Sequence, residues 1–155
     1  MIHILFVCAG NICRSPALAA AMQKLVNENN LQDKVYIDSC GINSMFLGSQ
    51  ADQRMAKASQ KKGVHIDHRA KLFEEAYFQI FNYIFVSDHR VAEILQSIAQ
   101  NDADRAKIHL ATEYSTKYKD QDMPDPFFQG EPQFDKIAEM SEEITQAIFE
   151  KLIKT

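Results

Sequence analysis

The residues with the greatest chemical reach lie in one short stretch, Cys8-Ala9-Gly10-Asn11-Ile12-Cys13-Arg14-Ser15-Pro16. If an oxyanion sits there, each residue type has a task. Gly10 and Asn11 tolerate left-handed backbone angles, which let successive N–H groups curl inward as an anion nest. A helix starting near Pro16 adds the positive end of its dipole. Arg14 can offer two parallel hydrogen bonds to phosphate oxygens and stays charged at any working pH. A thiol at the centre of this field is drawn towards the nucleophilic thiolate. Ser15 can hydrogen-bond that sulfur or help it leave in a second step. The chemistry this implies is attack of Cys8 on phosphorus. The stretch has no Gly-Lys-Ser/Thr of a nucleotide-binding loop and no trio of spaced glycines. Cys8 and Cys13 lack the two-residue spacing of a zinc knuckle or a thioredoxin-type pair. The plain alternative is a buried cysteine beside an ordinary turn, and the cysteine, five residues, then Arg-Ser spacing argues against it.

These residues need a strand on one side and a helix on the other. Residues 2–7 are short, apolar and β-branched, as a buried strand should be. Pro16 suits the first turn of a helix that runs on to about Asn29. Further strands are expected at 35–39, 83–87 and 107–111, with a loop at 41–48 and a helix at 51–62 that stops at Gly63. Asp88 can cap a helix carrying Val91, Ile94, Leu95 and Ile98 at helical spacing. A long loop at 112–130 holds two of the four prolines. A last helix from about Gln133 would bury Phe134, Ile137, Ile144, Ile148 and Leu152. Apolar runs alternating with amphipathic helices predict an α/β fold, a parallel sheet with helices on both faces, in one domain spanning 1–155. Ligands then bind beyond the carboxyl ends of the strands, where Cys8 opens the first loop.

The 155 residues are 46% hydrophobic and 25% charged, with a net charge of -4. No basic stripe or cationic amphipathic face points to nucleic acid or to a membrane. The apolar N-terminus lacks the preceding positive region of a signal peptide. The three cysteines, Cys8, Cys13 and Cys40, all lie near the start of the chain. That suits a reducing compartment better than a disulfide scaffold, so a cytoplasmic protein is expected.

The stretch from Val7 to Pro16 resembles the signature loop of the low-molecular-weight protein tyrosine phosphatases, and Asp125-Pro126-Phe127-Phe128 resembles their second signature. The resemblance implies a three-layer α/β sandwich with a four-stranded parallel sheet and the phosphate-binding loop after the first strand. It implies no metal and no cofactor, and a phosphotyrosine-containing protein or small aryl phosphate as partner. Cys8 would be the nucleophile, Arg14 the phosphate clamp, and Asp125 the acid that protonates the leaving phenolate and then activates water. Asp120 and Asp122 are rivals for that last role, and only Asp125 precedes the Pro-aromatic pair. Ala9, Gly10, Asn11, Ile12, Cys13 and Ser15 would form the phosphate-binding loop. Ser39 and His68 would support it, in a hydrogen-bond network with Asn11 and Ser15. Met45, Phe46, Phe127 and Phe128 would wall the substrate pocket. Asp88 matches an acidic position of the family, although a helix cap explains it equally well.

The chain departs from the family pattern at several positions. Ala19 stands where a glutamate is common. Phe127 and Phe128 replace tyrosines, and Met45 replaces an aromatic wall residue. The same fold serves arsenate reductases, which relay oxidation through two further cysteines near the third strand; here Phe85, Val86 and Ser87 stand there, and no cysteine follows Cys40. Protein arginine phosphatases tend to carry threonine at the position of Ile12, so an apolar Ile12 favours an aryl phosphate. A non-catalytic phosphate-binding module would be expected to lack Cys8, Arg14 or the acid. Cys13 either condenses with an oxidised Cys8 as a disulfide or packs beneath the loop.

Overall fold

The computed structural model describes residues 1–154. Four strands, β1 (Ile2–Cys8), β2 (Val35–Gly41), β3 (Tyr83–Val86) and β4 (Ile108–Leu110), form one sheet in the order β2-β1-β3-β4. Every pairing is parallel, with Ile4 opposite Ile37 and Tyr83, and Ile84 opposite Ile108. Parallel sheets are covered on both faces, and β1 reads accordingly as an unbroken apolar run. Ile4, Leu5, Phe6 and Val7 are all fully buried.

Alternation along β1 splits its side chains between two cores. Ile4 and Phe6 meet Leu18, Met22 and Val26 of α1 (Arg14–Glu28), and Phe134, Ile137 and Ile144 of the last long helix, Glu131–Ile148. Leu5 and Val7 point the other way, to Phe78, Phe81, Val91 and Leu95. These residues belong to the opposite layer, which holds α3 (Tyr77–Ile80) and α4 (His89–Ile98). Helices therefore flank the sheet on both sides, as expected from the sequence. Helix α2 (Gln53–Gln60) adds Met55 and Ala58 to the first core, α5 (Asp102–Arg105) follows α4 in the chain, and the C-terminal long helix is α6.

Some boundaries differ from the sequence reading for local reasons. Helix α1 begins at Arg14, so Pro16 is its third residue, still in the first turn where the missing N–H has no intrahelical partner. Helix α2 starts late because Asp52 caps it, accepting from the N–H groups of Arg54 and Met55. The short helices α3 and α5 carry no periodic apolar pattern that a single-residue scan could register. Leu152 is half-buried in a wider turn, Phe149–Ile153, that closes the chain after α6.

Since β1 leads to β2 on one side and has β3 on the other, the chain changes direction between β1 and β3. That switch point opens a crevice beyond the strand ends. Cys8 ends β1 on one flank of the crevice, and Ser87 and Asp88 follow β3 on the other. Among the described residues no helix is long and apolar enough to cross a membrane.

Candidate active site

The loop after β1 turns on Asn11, whose φ is 59. Gly10 is not left-handed, contrary to expectation. Its use is steric, because a Cβ there would lie 3.0 Å from the Phe46 ring. The loop carbonyls are tied outward. Ala9 O accepts from the N–H groups of Ile42 and Asn43 at 2.9 and 3.1 Å, and Ile12 O from that of Asp52 at 2.9 Å. Asn11 O is 2.7 Å from His68 Nε2, which places that ring's proton on Nε2. Among the described residues, the N–H groups of Gly10, Ile12, Cys13 and Arg14 have no acceptor within the protein. Carbonyls bound outward and N–H groups left uncommitted make an anion-binding concavity at a helix N-terminus.

Asn11 braces this backbone with every polar atom of its side chain. Its Nδ2 donates to Ser15 Oγ at 2.8 Å and to Ser39 Oγ at 3.0 Å, and its Oδ1 accepts from Lys71 N at 2.9 Å. Ser39 and His68 thus both contact the loop. His68 is half-buried, not an exposed loop residue, and burial pulls its pKa below the usual histidine value. Gly41 lets the chain pass close behind the loop, since a Cβ there would be 2.7 Å from Ala9 O.

Cys8 Sγ receives the N–H of Asn11 at 3.3 Å and lies 2.9 Å from Ser15 Oγ. The Ser15 hydroxyl accepts from Asn11, so its own proton is free for Cys8 Sγ or for Cys40 O, which is 3.3 Å away. Cys13 and Cys40 are buried, and burial pushes both thiols well up.

Arg14 is buried to 3% exposure, and its position is fixed by the protein itself. Nη1 donates to Asp88 Oδ2 at 2.6 Å and to the Met123 carbonyl at 2.9 Å. That uses both Nη1 protons and leaves Nε and Nη2 without a hydrogen-bond partner among the described residues. Burial disfavours the charge, but the negative neighbours outweigh it, Cys8 first and then Asp88 and Asp125, so the Arg14 pKa lies above its ordinary value. Asp88 caps α4, its Oδ1 accepting from Val91 N at 2.8 Å, and its Oδ2 holds Arg14, a partner the sequence did not show.

The loop after β4 brings in the third group. Asp125 lies between Pro124 and Pro126, half-exposed, with Oδ2 3.8 Å from Arg14 Nη2 and Oδ1 accepting from Phe127 N at 3.1 Å. Asp122 is engaged elsewhere, accepting from His89 N and Nδ1 at 3.0 and 2.5 Å. Neither Asp122 nor Asp120 lines the pocket formed here.

That pocket measures about 150 Å³ and is lined by Cys8, Ala9, Gly10, Ile12, Cys13, Arg14, Asn43, Met45, Phe46, Asp125, Phe127 and Phe128. Phe46 and Phe127 face each other at 5.1 Å between centroids, and Phe128 sets its edge against Phe127 at 4.8 Å. Met45 and Phe128 stand on the rim, 76% and 89% exposed. A larger pocket of about 290 Å³ opens between α1 and α6, but the charges on its rim pair with each other, Lys24 with Glu28 and Lys62 with Glu142, and no cysteine lines it.

Sequence reasoning missed Asn43 and the pair Asp52 and Arg54. Asp52 was legible as a cap from its place before a helix. Nothing local shows that Arg54 Nη2 reaches the Phe127 carbonyl at 3.1 Å, across 73 residues of chain.

Comparison with known proteins agrees with this geometry. Residues 3–155 match the model of the low molecular weight phosphotyrosine protein phosphatases. The chain is 32% identical over 149 residues to the low molecular weight phosphotyrosine protein phosphatase of Gallus gallus, covering 96% of this chain and 94% of the relative. A crystal structure of a protein tyrosine phosphatase from Entamoeba histolytica superposes with a TM-score of 0.94 at 32% identity, covering 99% of this chain and 98% of that one. A Drosophila arginine phosphatase superposes with a TM-score of 0.89 at 29% identity over 97% of each chain. The chain belongs to the low molecular weight phosphotyrosine protein phosphatase family.

Proposed function

We propose that this chain, as one catalytic domain, hydrolyses aryl phosphate monoesters, phosphotyrosine in proteins foremost, through a phosphocysteine intermediate. One observation carries the reading. A sulfur, the unspent edge of a buried guanidinium and a half-exposed carboxylate meet in one pocket with aromatic walls. Cys8 Sγ attacks phosphorus in line as the ester P–O bond breaks on the far side. The equatorial oxygens lie against the loop N–H groups and against Nε and Nη2 of Arg14. Asp125 gives its proton to the departing phenolate oxygen. Water then attacks the phosphocysteine and yields its proton to Asp125. The S–P bond breaks, and the sulfur leaves as a thiolate supported by Ser15 Oγ and the Asn11 N–H. The donors are held in place by the protein before substrate arrives, and such preorganisation is where most of the rate enhancement in phosphoryl transfer originates.

The likeness to an arginine phosphatase favours a second reading, a guanidinium phosphate as substrate. Ile12 weighs against it. It lines the pocket with a buried hydrocarbon side chain that can accept no hydrogen bond from a guanidinium. Phe46, Phe127 and Phe128 instead offer a tyrosine ring edge-on and offset contacts.

The test is hydrolysis of an aryl phosphate by wild type and Cys8→Ser, with a chelator present throughout, beside phosphotyrosine and phosphoarginine peptides. Wild-type turnover that is lost in Cys8→Ser, with phosphotyrosine preferred, is the expected result. Preference for phosphoarginine would transfer the mechanism to the second reading. No turnover of any of these substrates would end the proposal.

A further inference from the structure

The segment that carries Asp125 is pinned at two points. Upstream, Met123 N donates to Ser87 O at 2.9 Å and Met123 O accepts from Arg14 at 2.9 Å. Downstream, the Phe127 carbonyl accepts from Arg54 Nη2 at 3.1 Å. Between the pins, Pro124 and Pro126 fix their own φ angles and supply no N–H. The position of Asp125 therefore depends on where the two ends are held.

Arg54 is itself locked. Its Nε and Nη2 bind the two oxygens of Asp52 at 3.1 and 2.9 Å, and its plane lies over the Phe134 ring at 4.4 Å and beside the Phe127 ring at 5.6 Å. Asp52 in turn donates its N–H to Ile12 O in the nucleophile loop. One continuous set of contacts thus joins Ile12, Asp52, Arg54 and Phe127, and ends two residues from Asp125. Neither Asp52 nor Arg54 lines the pocket. Their effect on the reaction therefore passes through the residues they hold.

We infer that Arg54 is a positioning residue for the acid step, fixing the reach of Asp125 relative to the loop of Cys8. The inference rests on Asp125 being the general acid proposed above. Lysine cannot replace it, because a point ammonium cannot bridge both carboxylate oxygens, reach a third acceptor and present a flat face to two rings.

Leaving-group dependence tests this, because an acid matters most when the leaving oxygen is basic. The quantity to measure is kcat/KM, which covers the steps up to phosphocysteine formation. The substrates are phenyl phosphate, whose phenol has a pKa of about 10 like tyrosine, and p-nitrophenyl phosphate, whose phenol is far more acidic. Asp125→Asn sets the reference and should lose on the order of 10²-fold on phenyl phosphate, with a much smaller loss on the nitro ester. Arg54→Met should follow the same slope, losing about 10-fold on phenyl phosphate and under ~3-fold on the nitro ester. Arg54→Lys keeps the cation and the stem over Phe134, so it serves if the methionine variant folds poorly, and it should show the same inequality. Equal factors on both esters, or none, in a chain whose Asp125→Asn variant is steep would overturn the inference and leave the acid assignment standing. A flat Asp125→Asn variant would remove the acid assignment and the inference with it.

Discussion

Asp88 is the residue at which a stability role and a functional role can be separated by experiment. Its Oδ1 caps α4 and its Oδ2 clamps Arg14. Replacement by alanine removes both. Loss of an N-cap costs about 1 kcal/mol. Loss of a hydrogen bond to a charged group costs about 1.5–3 kcal/mol, and the 18% exposure of Asp88 puts the value near ~2 kcal/mol, because water partly replaces it. Arg14 keeps Met123 O, so its charge is not left bare. Asp88→Ala should therefore lose about 3 kcal/mol, or roughly 9 °C in Tm for a chain of this length. Asp88→Ser restores the cap but is too short to hold Arg14 as well, so it should lose about 2 kcal/mol. In both variants Arg14 is held by Met123 O alone and its orientation loosens, so kcat/KM on an aryl phosphate should fall about 10- to 100-fold in each. Urea unfolding curves and steady-state kinetics on the same preparations give both numbers. Equal destabilisation by Ala and Ser would mean that the cap contributes nothing. Wild-type kcat/KM in Asp88→Ser would refute the claim that this carboxylate orients the clamp.

Three further perturbations probe the loop and the rim. The folded-state pKa of His68 is depressed by burial, so the unfolded chain takes up the proton first as pH falls. Stability should decline below about pH 6.5, the unperturbed histidine value, and level off below the folded-state pKa. Asp38 and Asp67 partly oppose the shift and Lys71 reinforces it. Tm measured against pH should show that decline in wild type, whereas His68→Gln should lack this component. Gly41→Ala places a methyl group 2.7 Å from Ala9 O, a backbone atom of the loop. It should cost about 1–3 kcal/mol in urea unfolding and weaken inhibition by inorganic phosphate; an unchanged inhibition constant would show that the loop tolerates the shift. Phe128→Ala removes an 89% exposed ring, so thermal unfolding should report a change within ~0.5 kcal/mol, while KM for an aryl phosphate rises several-fold and kcat stays level.

The parts of the fold that were legible in the sequence were those set by periodic burial. The apolar, β-branched run from Ile2 to Val7 read as a buried strand and the Cys8-to-Pro16 continuation as a turn into a helix, so the place of the pocket followed from the order of elements. What sequence could not give is long-range hydrogen bonding. Asn11 was read as a residue that tolerates a left-handed turn, and φ at 59 agrees; its network with Ser15, Ser39 and His68 entered only through the family resemblance. Its three side-chain bonds to Ser15, Ser39 and Lys71 depend on β2 and the 65–71 segment lying beside the loop. Gly10 was misjudged for the same reason: its missing Cβ answers to Phe46, which lies far along the chain. The Asp52–Arg54 pair was invisible because its partner carbonyl is set by the path of a loop with no periodic pattern at all.

Two aspartates flank the one buried guanidinium, and hydrogen-bond accounting assigns them different work. Asp88 has both oxygens committed, one to Val91 N and one to Arg14, so any proton placed on it would weaken a helix cap or a clamp. A residue so placed is suited to holding still. Asp125 has one oxygen on Phe127 N and the other 3.8 Å from Nη2, beyond hydrogen-bond reach, with the side chain 52% exposed. It can gain and lose a proton without breaking the structure around it. Sequence favoured Asp125 because of the proline and the two aromatics that follow it. The physical reason is different and stronger: among the aspartates near the pocket, it alone lines the wall beside Cys8 with an oxygen left free for proton transfer. Asp88 is held by both of its oxygens, whereas the segment around Asp125 is pinned at Met123 and Phe127 and leaves only the second carboxylate oxygen free.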